Sequence, residues 1–300
     1  MKENMLYRDF ASFMSEYFPG KKVQKISLDL IHNCPTRDGS LGRGGCTYCN
    51  NKSFSPAYAL SHKSVTEQLQ EGISFFSHKY PSMEYLAYFQ AYTSTYGEVE
   101  KLKEMYLEAL SYPGVVGLVI GTRPDCMPDS LLSFLSQLSK EYFVLIEYGV
   151  ESTIDRTLEL VQRGHTFECS KETILRTHDS GLLCGAHLIL GLPGESREDM
   201  LSHAQRLNDL PISTLKLHQL QIIKGTLMAR DFVLHPDRYH LFTEDEYVDL
   251  CVDFLRQLRP DIVVERFVSS SPKDMILAPK WGKKNYQFVE LIKKRLLTSK

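Results

Sequence analysis

Apolar positions along the chain fall into two patterns. Short unbroken runs suit strands buried on both faces, and a three-to-four-residue spacing suits helices with one buried face. A first helix is expected over residues 5–18, with Leu6, Phe10, Phe13 and Met14 on one side and Pro19-Gly20 as its stop, placed to cover one end of the sheet that follows. Strands are expected at residues 23–31, 85–90, 115–121, 143–150, 182–192 and 214–218. Between them lie helical faces built from Val65, Leu69, Ile73 and Phe76, then Val99, Leu102, Tyr106 and Leu110, then Ile154, Leu158 and Val161, then Met200, Ala204 and Leu207. Ser64-Val65-Thr66-Glu67 and Ser196-Arg197-Glu198-Asp199 are capping boxes, and Asp129 stands where another helix starts. Six strand-helix units require right-handed crossovers and a parallel sheet. The class is α/β, either an open doubly wound sheet or an incomplete barrel.

Beyond the sixth strand, a third capping box, Thr243-Glu244-Asp245-Glu246, opens a helix that ends at Arg259-Pro260, followed by a seventh strand at 262–267 and a last helix from Lys284. The boundary is placed at Gln221, giving a main domain with its N-terminal helix over 1–221 and a small α/β extension over 222–300. With 300 residues and 43% hydrophobic content the chain can bury a large core. A net charge of −2 gives it no whole-chain attraction to nucleic acid or to an anionic membrane. The first residues, Met1-Lys2-Glu3-Asn4-Met5, lack a signal peptide's apolar core, and no apolar run reaches membrane-spanning length. A cytoplasmic protein with no membrane contact is expected. Seven cysteines, an odd number with three of them clustered, argue against a disulfide framework and for a reducing compartment. Cys126, Cys169, Cys184 and Cys251 are scattered and read as packing residues.

The clustered three, Cys34, Cys46 and Cys49, follow the first strand directly, with Gly39, Gly42, Gly44 and Gly45 between them to forbid regular structure. Their sulfurs are therefore presented beyond the C-terminal end of a strand, where α/β proteins keep their chemistry. Three thiolates suit either of two centres. One is zinc with a fourth ligand, for which His32 and His62 are the local candidates; the other is three irons of a cubane cluster whose fourth iron stays open.

Cys34, eleven residues, then Cys46-Thr47-Tyr48-Cys49 resembles the cluster motif of radical S-adenosylmethionine (SAM) enzymes, in the widened form of the relatives of Elongator's catalytic subunit. Cys34-Pro35-Thr36-Arg37-Asp38-Gly39, with Gly42-Arg43-Gly44-Gly45-Cys46-Thr47-Tyr48-Cys49-Asn50, is similar to a bacterial family of stand-alone radical SAM proteins. The resemblance covers residues 20–220 and implies a partial (β/α)6 barrel. It implies a 4Fe-4S cluster on Cys34, Cys46 and Cys49, with SAM on the open iron. It further implies reductive cleavage of SAM to a 5'-deoxyadenosyl radical that takes hydrogen from an unidentified substrate, and an electron donor such as a flavodoxin or ferredoxin.

Carried over residue by residue, the resemblance sets Tyr48 near the adenine and Gln90 and Thr93 in the segment that meets the SAM ammonium. Glu151, preferred to Glu147, meets the ribose, and Arg163 pairs with the SAM carboxylate or serves only as a helix-end cation. His187 begins the adenine and ribose segment, where relatives often have Asp. Arg123, His218, Gln219, Gln221, Lys224 and Arg266 fall at strand ends, where they can face a substrate. In the C-terminal segment Lys280, Lys283, Lys284, Lys293, Lys294, Arg295 and Lys300 stand against Glu290, with Trp281, Tyr286 and Phe288 interleaved. This is either a surface for RNA or a solvated helix face. Two other readings stay open: tRNA modification, from the kinship to Elongator's catalytic subunit, and a non-catalytic zinc-binding module.

Overall fold

The computed structural model describes residues 6–30, 33–77 and 83–298. The apolar runs form strands β1 (Val23–Leu28), β2 (Glu84–Phe89), β3 (Val115–Thr122), β4 (Phe143–Glu151), β5 (Leu183–Leu190) and β6 (Thr214–Gln219). A two-residue strand, β7 (Ile222–Ile223), is followed by β8 (Val263–Arg266) and β9 (Ile276–Ala278). Seven of these pair in the order β1-β2-β3-β4-β5-β6-β8, all parallel. The result is a curled half-barrel, the α/β partial barrel expected, carrying one strand more than the six of the main domain. That strand, β8, comes from the segment assigned to the extension, while β7 and β9 form a separate antiparallel ribbon.

Alternate residues of each strand face opposite layers. Outward, Ala87, Phe89, Leu118, Ile120, Val144, Ile146, Leu188 and Leu217 pack under the surrounding helices. Inward, Leu86, Tyr88, Val119, Phe143, Leu145 and Val263 meet Phe13 and Met14 of the N-terminal helix Phe10–Tyr17, which plugs the barrel's lower end. Asp9 starts that helix by accepting the Ser12 N–H at 2.8 Å. The three expected capping boxes are present, with reciprocal bonds between Ser64 and Glu67, Ser196 and Asp199, and Thr243 and Glu246.

The helix after β4 departs from expectation. It runs Asp155–Leu160, and a new helix, Phe167–Asp179, starts at Thr166. Between them Gln162 adopts a left-handed φ of 55°, so Arg163 turns back over the sheet instead of ending a helix.

Candidate active site

Beyond β1, Cys34 caps the short helix Pro35–Asp38, and Gly39 at φ 103° reverses the chain. The loop then folds back on that helix: the Leu41 N–H donates to the Pro35 carbonyl at 2.7 Å and the Gly45 N–H to that of Thr36 at 2.8 Å. A Cβ on Gly45, itself at φ 75°, would stand 2.8 Å from the Arg37 guanidinium carbon. Only glycine lets Arg37 cross there to donate to the Cys49 carbonyl at 2.8 Å. On the far side the Thr47 N–H donates to the Val161 carbonyl at 3.0 Å and the Thr47 carbonyl accepts from Met228 at 2.9 Å. The cysteine loop is thus held by its own first turn, by the chain after β4, and by the C-terminal extension.

One cavity at the C-terminal ends of the strands is lined by all nine of the cluster and SAM candidates singled out from sequence: Cys34, Cys46, Cys49, Tyr48, Gln90, Thr93, Glu151, Arg163 and His187. Of the substrate-facing candidates, Arg123, His218, Gln219, Gln221 and Arg266 line it too. Lys224 does not. It is exposed, and its carbonyl accepts from Asn50 Nδ2 at 3.0 Å. Arg37, Thr36, Asn51 and the run Ser269-Ser270-Ser271 also line the cavity and were not anticipated. Arg37 sits two residues after a cysteine-flanking proline in a glycine-rich loop, and that placement was the available signal.

The side chains are already committed in informative ways. The Thr93 hydroxyl is fully buried and donates to Cys34 Sγ at 3.3 Å, and Thr36 Oγ1 lies 3.2 Å from the same sulfur. The Gln90 amide donates to the Phe54 carbonyl at 3.2 Å. Arg163 is 7% exposed; it donates to the Gly149 carbonyl at 2.6 Å and to Cys46 Sγ at 3.6 Å, and its Nη2 lies 3.7 Å from Glu151. A Cβ on Gly149 would fall 2.6 Å from both Arg163 Nη2 and Glu151 Oε1, so that close approach requires glycine. The strand slips register between Gly149 and Glu151, and Glu151 takes a left-handed φ of 68°. Behind it, Ser152 donates to Glu195 at 2.5 Å and His203 bonds both Thr153 and Glu195. Among the described residues, Tyr92, Glu151 and Gln162 are the non-glycine residues with positive φ, and each lines this cavity or directly precedes a residue that does. Strain of this kind collects at functional sites because only a rigid surround sustains it.

The electrostatics set buried thiols and a buried carboxyl among buried cations. Burial opposes ionisation of Cys34, yet hydrogen bonds from Thr36 and Thr93 and the Arg123 charge together hold its thiol below the ordinary value. Burial, reinforced by Cys46, pushes the Cys49 thiol up to about 11. Burial likewise raises Glu151 against the pull of Arg163 and Arg123. Tyr48 Oη, Arg123 Nη1, Arg163 Nε and Arg266 Nε are buried with no partner, all on residues of this cavity. Such orphaned donors cost about 1–3 kcal/mol each unless a ligand meets them.

Three cysteines with cationic donors beside their sulfurs suit an iron-sulfur cluster. Among the described residues no group of three His, Cys, Asp or Glu side chains is arranged to hold a single metal ion. His62 is exposed and outside the cavity lining, and His32 lies outside the described residues.

The sequence model of the radical SAM superfamily matches residues 38–207, more than half of the chain, and that of the radical SAM C-terminal domain matches 212–298. The chain belongs to the radical SAM superfamily. Protein YhcC of Escherichia coli K12 is 38% identical over 263 residues, 87% of this chain and 83% of YhcC. YtqA of Bacillus subtilis is 31% identical over 97% of this chain and 89% of its own. A tRNA uridine(34) acetyltransferase of Methanocaldococcus jannaschii is 26% identical over 48% of this chain but only 26% of its own length. In fold, this radical SAM chain superposes on the archaeal Elp3 of Methanocaldococcus infernus with a TM-score of 0.68 at 17% identity, over 92% of this chain and 63% of that one. It is an enzyme of the radical SAM class, a class that uses SAM, a 4Fe-4S cluster, a substrate and a reductant. Among the described residues no helix is long and apolar enough to cross a membrane.

Half of the described cations of the C-terminal basic segment are paired, and two of its three aromatics pack inward. Lys283 pairs with Glu244, Arg295 with Asp249, and Lys293 with Glu290 at 3.9 Å. Trp281 donates to the Phe242 carbonyl at 3.1 Å and stacks near Phe288, which is fully buried. Tyr286, Lys280, Lys284 and Lys294 are exposed, and Lys300 lies outside the described residues.

Proposed function

We propose that Cys34, Cys46 and Cys49 hold one 4Fe-4S cluster, and that the chain binds SAM beside it to act on a substrate seated deeper in the same cavity. The observation that carries this reading is the convergence of the three cysteines, Tyr48, Glu151, Arg163 and His187 on one cavity at the strands' C-terminal ends. Bound there, the cluster would supply one electron for reductive cleavage of SAM, the chemistry by which hydrogen would be taken from the substrate. The protein's own residues orient and shield. Arg163 offers a buried guanidinium to the SAM carboxylate while fixing the Cys46 sulfur. Glu151 accepts ribose hydroxyls, and Tyr48 sets its ring against the adenine. Thr93 acts through Cys34, since its hydroxyl is already given to that sulfur, and Gln90 braces the cavity wall through Phe54. A one-electron donor of the flavodoxin or ferredoxin kind, in a reducing cytoplasm, completes the requirement.

The test is anaerobic reconstitution followed by metal and sulfide analysis and assay of 5'-deoxyadenosine. About four irons and four acid-labile sulfides per chain are expected. Cys46→Ala should lose both the cluster and 5'-deoxyadenosine formation. Zinc without acid-labile sulfide would instead support a zinc-binding module and end the enzymatic reading.

A second reading, tRNA modification, is favoured by the partial match to a tRNA uridine(34) acetyltransferase and by the exposed Lys280, Lys284, Tyr286 and Lys294. It predicts RNA that co-purifies and is released by salt. RNA-free protein that binds no tRNA at low salt would sink it.

A further inference from the structure

The floor of the cavity has a charge imbalance that the SAM chemistry does not use. Lys25 on β1, Glu147 on β4, Lys216 on β6 and Glu265 on β8 meet inside the half-barrel: Lys216 lies 2.5 Å from Glu147 and 3.2 Å from Glu265, and Lys25 lies 2.9 Å from Glu147 and 2.5 Å from Glu265. Two lysines and two carboxylates balance. Arg266, the residue after Glu265, adds a third cation to the same interior, and no carboxylate of the described residues lies within ion-pair distance of it. Its Nη2 donates instead to His218 Nε2 at 3.1 Å, and its Nε has no partner. Because His218 Nε2 accepts from Arg266, the ring's proton sits on Nδ1, which donates to Ser269 Oγ at 2.6 Å. Burial, with the Arg266 and Lys216 charges, keeps His218 far below its ordinary pKa, and burial pushes His187 down to about 4, so neither ring adds charge at neutral pH.

The surround is built rather than accidental. Ser269 is fixed at its N–H by Gln219 Oε1 at 2.7 Å and at its carbonyl by Gln219 Nε2 at 3.3 Å, and Ser271 Oγ donates to Gln221 at 2.7 Å. Arg266 forms part of both the upper cavity and a lateral groove of about 1450 Å³ that runs between β1 and the chain after β8. A ligand entering by the groove reaches Arg266 on its way to the cysteine end.

The geometry points to a carboxylate-binding subsite for the substrate at Arg266, with His218 and Ser269 holding the guanidinium in place. The inference rests on the radical SAM reading of the cavity and names the chemical class of its substrate. Arg37 also lines the cavity without a carboxylate partner, but it is committed at the cysteine end, to the Cys49 carbonyl. At the floor, the one cation without a carboxylate of its own suits one carboxylate. A phosphate monoester, as a dianion, would leave the floor with an uncompensated negative charge, which a low-dielectric site penalises heavily.

The probe is sodium propionate, titrated into the purified protein by calorimetry at constant ionic strength against sodium chloride, with disodium methyl phosphate as the competing dianion. Propionate should bind above the chloride background. Arg266→Gln should weaken it at least tenfold, Arg266→Lys by no more than about threefold, and methyl phosphate should bind at least tenfold more weakly than propionate. Propionate should also slow modification of Arg266 by phenylglyoxal in the unsubstituted protein, read by peptide mass mapping, a measurement that does not depend on the folding of any variant. Equal binding by wild type and Arg266→Gln, preference for methyl phosphate, or absence of protection overturns the subsite. None of these readouts requires the cluster. Failed iron loading would strike the proposed function alone, and unprotected Arg266 the subsite alone.

Discussion

The two faces of one sheet obey different rules. Outside, Ala87, Phe89, Ile120, Ile146, Leu188 and Leu217 make an apolar surface in which a buried hydroxyl such as that of Tyr148 finds a partner in Thr177 at 2.7 Å. Inside, one residue further along the same strands, the surface is layered. An apolar plug of Phe13, Phe143 and Val263 lies at the bottom, the Lys-Glu network in the middle, and the cysteine cavity at the top. Glycines make that filling fit. Glu147 sits in register between Gly121 on β3 and Gly185 on β5, and a Cβ on Gly185 would collide with Thr214 Oγ1 at 2.3 Å and press on Glu147 at 3.4 Å. Outer positions therefore ask only for apolar volume, whereas inner positions ask for partners. Barrel interiors are ordinarily packed with branched aliphatic residues, so a charged middle layer marks a floor that supports a polar cavity.

This contrast can be broken most forcefully at Lys216. Lys216→Met leaves Glu147 short of its closest cation in a site 1% exposed, and should cost about 3–5 kcal/mol in chemical denaturation. Adding Glu147→Gln, which leaves Lys25 paired with Glu265, should recover at least half of the loss. A single-variant cost below about 1 kcal/mol would show that the inner layer is as tolerant as the outer.

A smaller effect is expected from acid. The folded His187 titrates at about 4 because burial disfavours its cation, whereas in the unfolded chain it titrates near 6.5. The unfolded state therefore takes up the proton first. The neutral ring's full contribution is present above pH 6.5 and is lost as pH falls toward 4, by on the order of 2 kcal/mol. Denaturation curves of His187→Asn should be flatter than wild type across that window, and parallel curves would refute the assignment. The smallest change belongs to the outside: Lys283→Ala removes a solvent-screened pair with Glu244 and should alter stability by less than about 1 kcal/mol. A larger loss would mean that charge outside matters as much as charge within.

Much of this was legible in the chain itself. The strands lie where the apolar runs are, and the capping boxes at Ser64, Ser196 and Thr243 start the helices they announce. The distinction between open sheet and half-barrel was not in the periodicity, because both bury their strands on two faces; the cysteine motif carried it. The inner layer left a readable trace, with Glu147 between Ile146 and Tyr148 and Lys216 between Leu215 and Leu217, single charges in otherwise apolar strands. What stayed hidden depends on tertiary closure. The partnership of Thr93 with Cys34 spans 59 residues. The turn at Gln162 that redirects Arg163 looks like ordinary helix in sequence, and Trp281 and Phe288 look like exposed stacking residues until Phe288 is seen in the core with Trp281 packed against it.

Lys25 and Glu265 join the first and last strands of a sheet that never closes on itself. Among the described residues no backbone ladder joins β1 to β8, whose upper edge is free above a single bridge to Asp9. One lysine-glutamate clasp therefore fastens the flank of the vessel. Prising it open to admit a bulky guest sacrifices that contact and leaves every rung of the ladder intact.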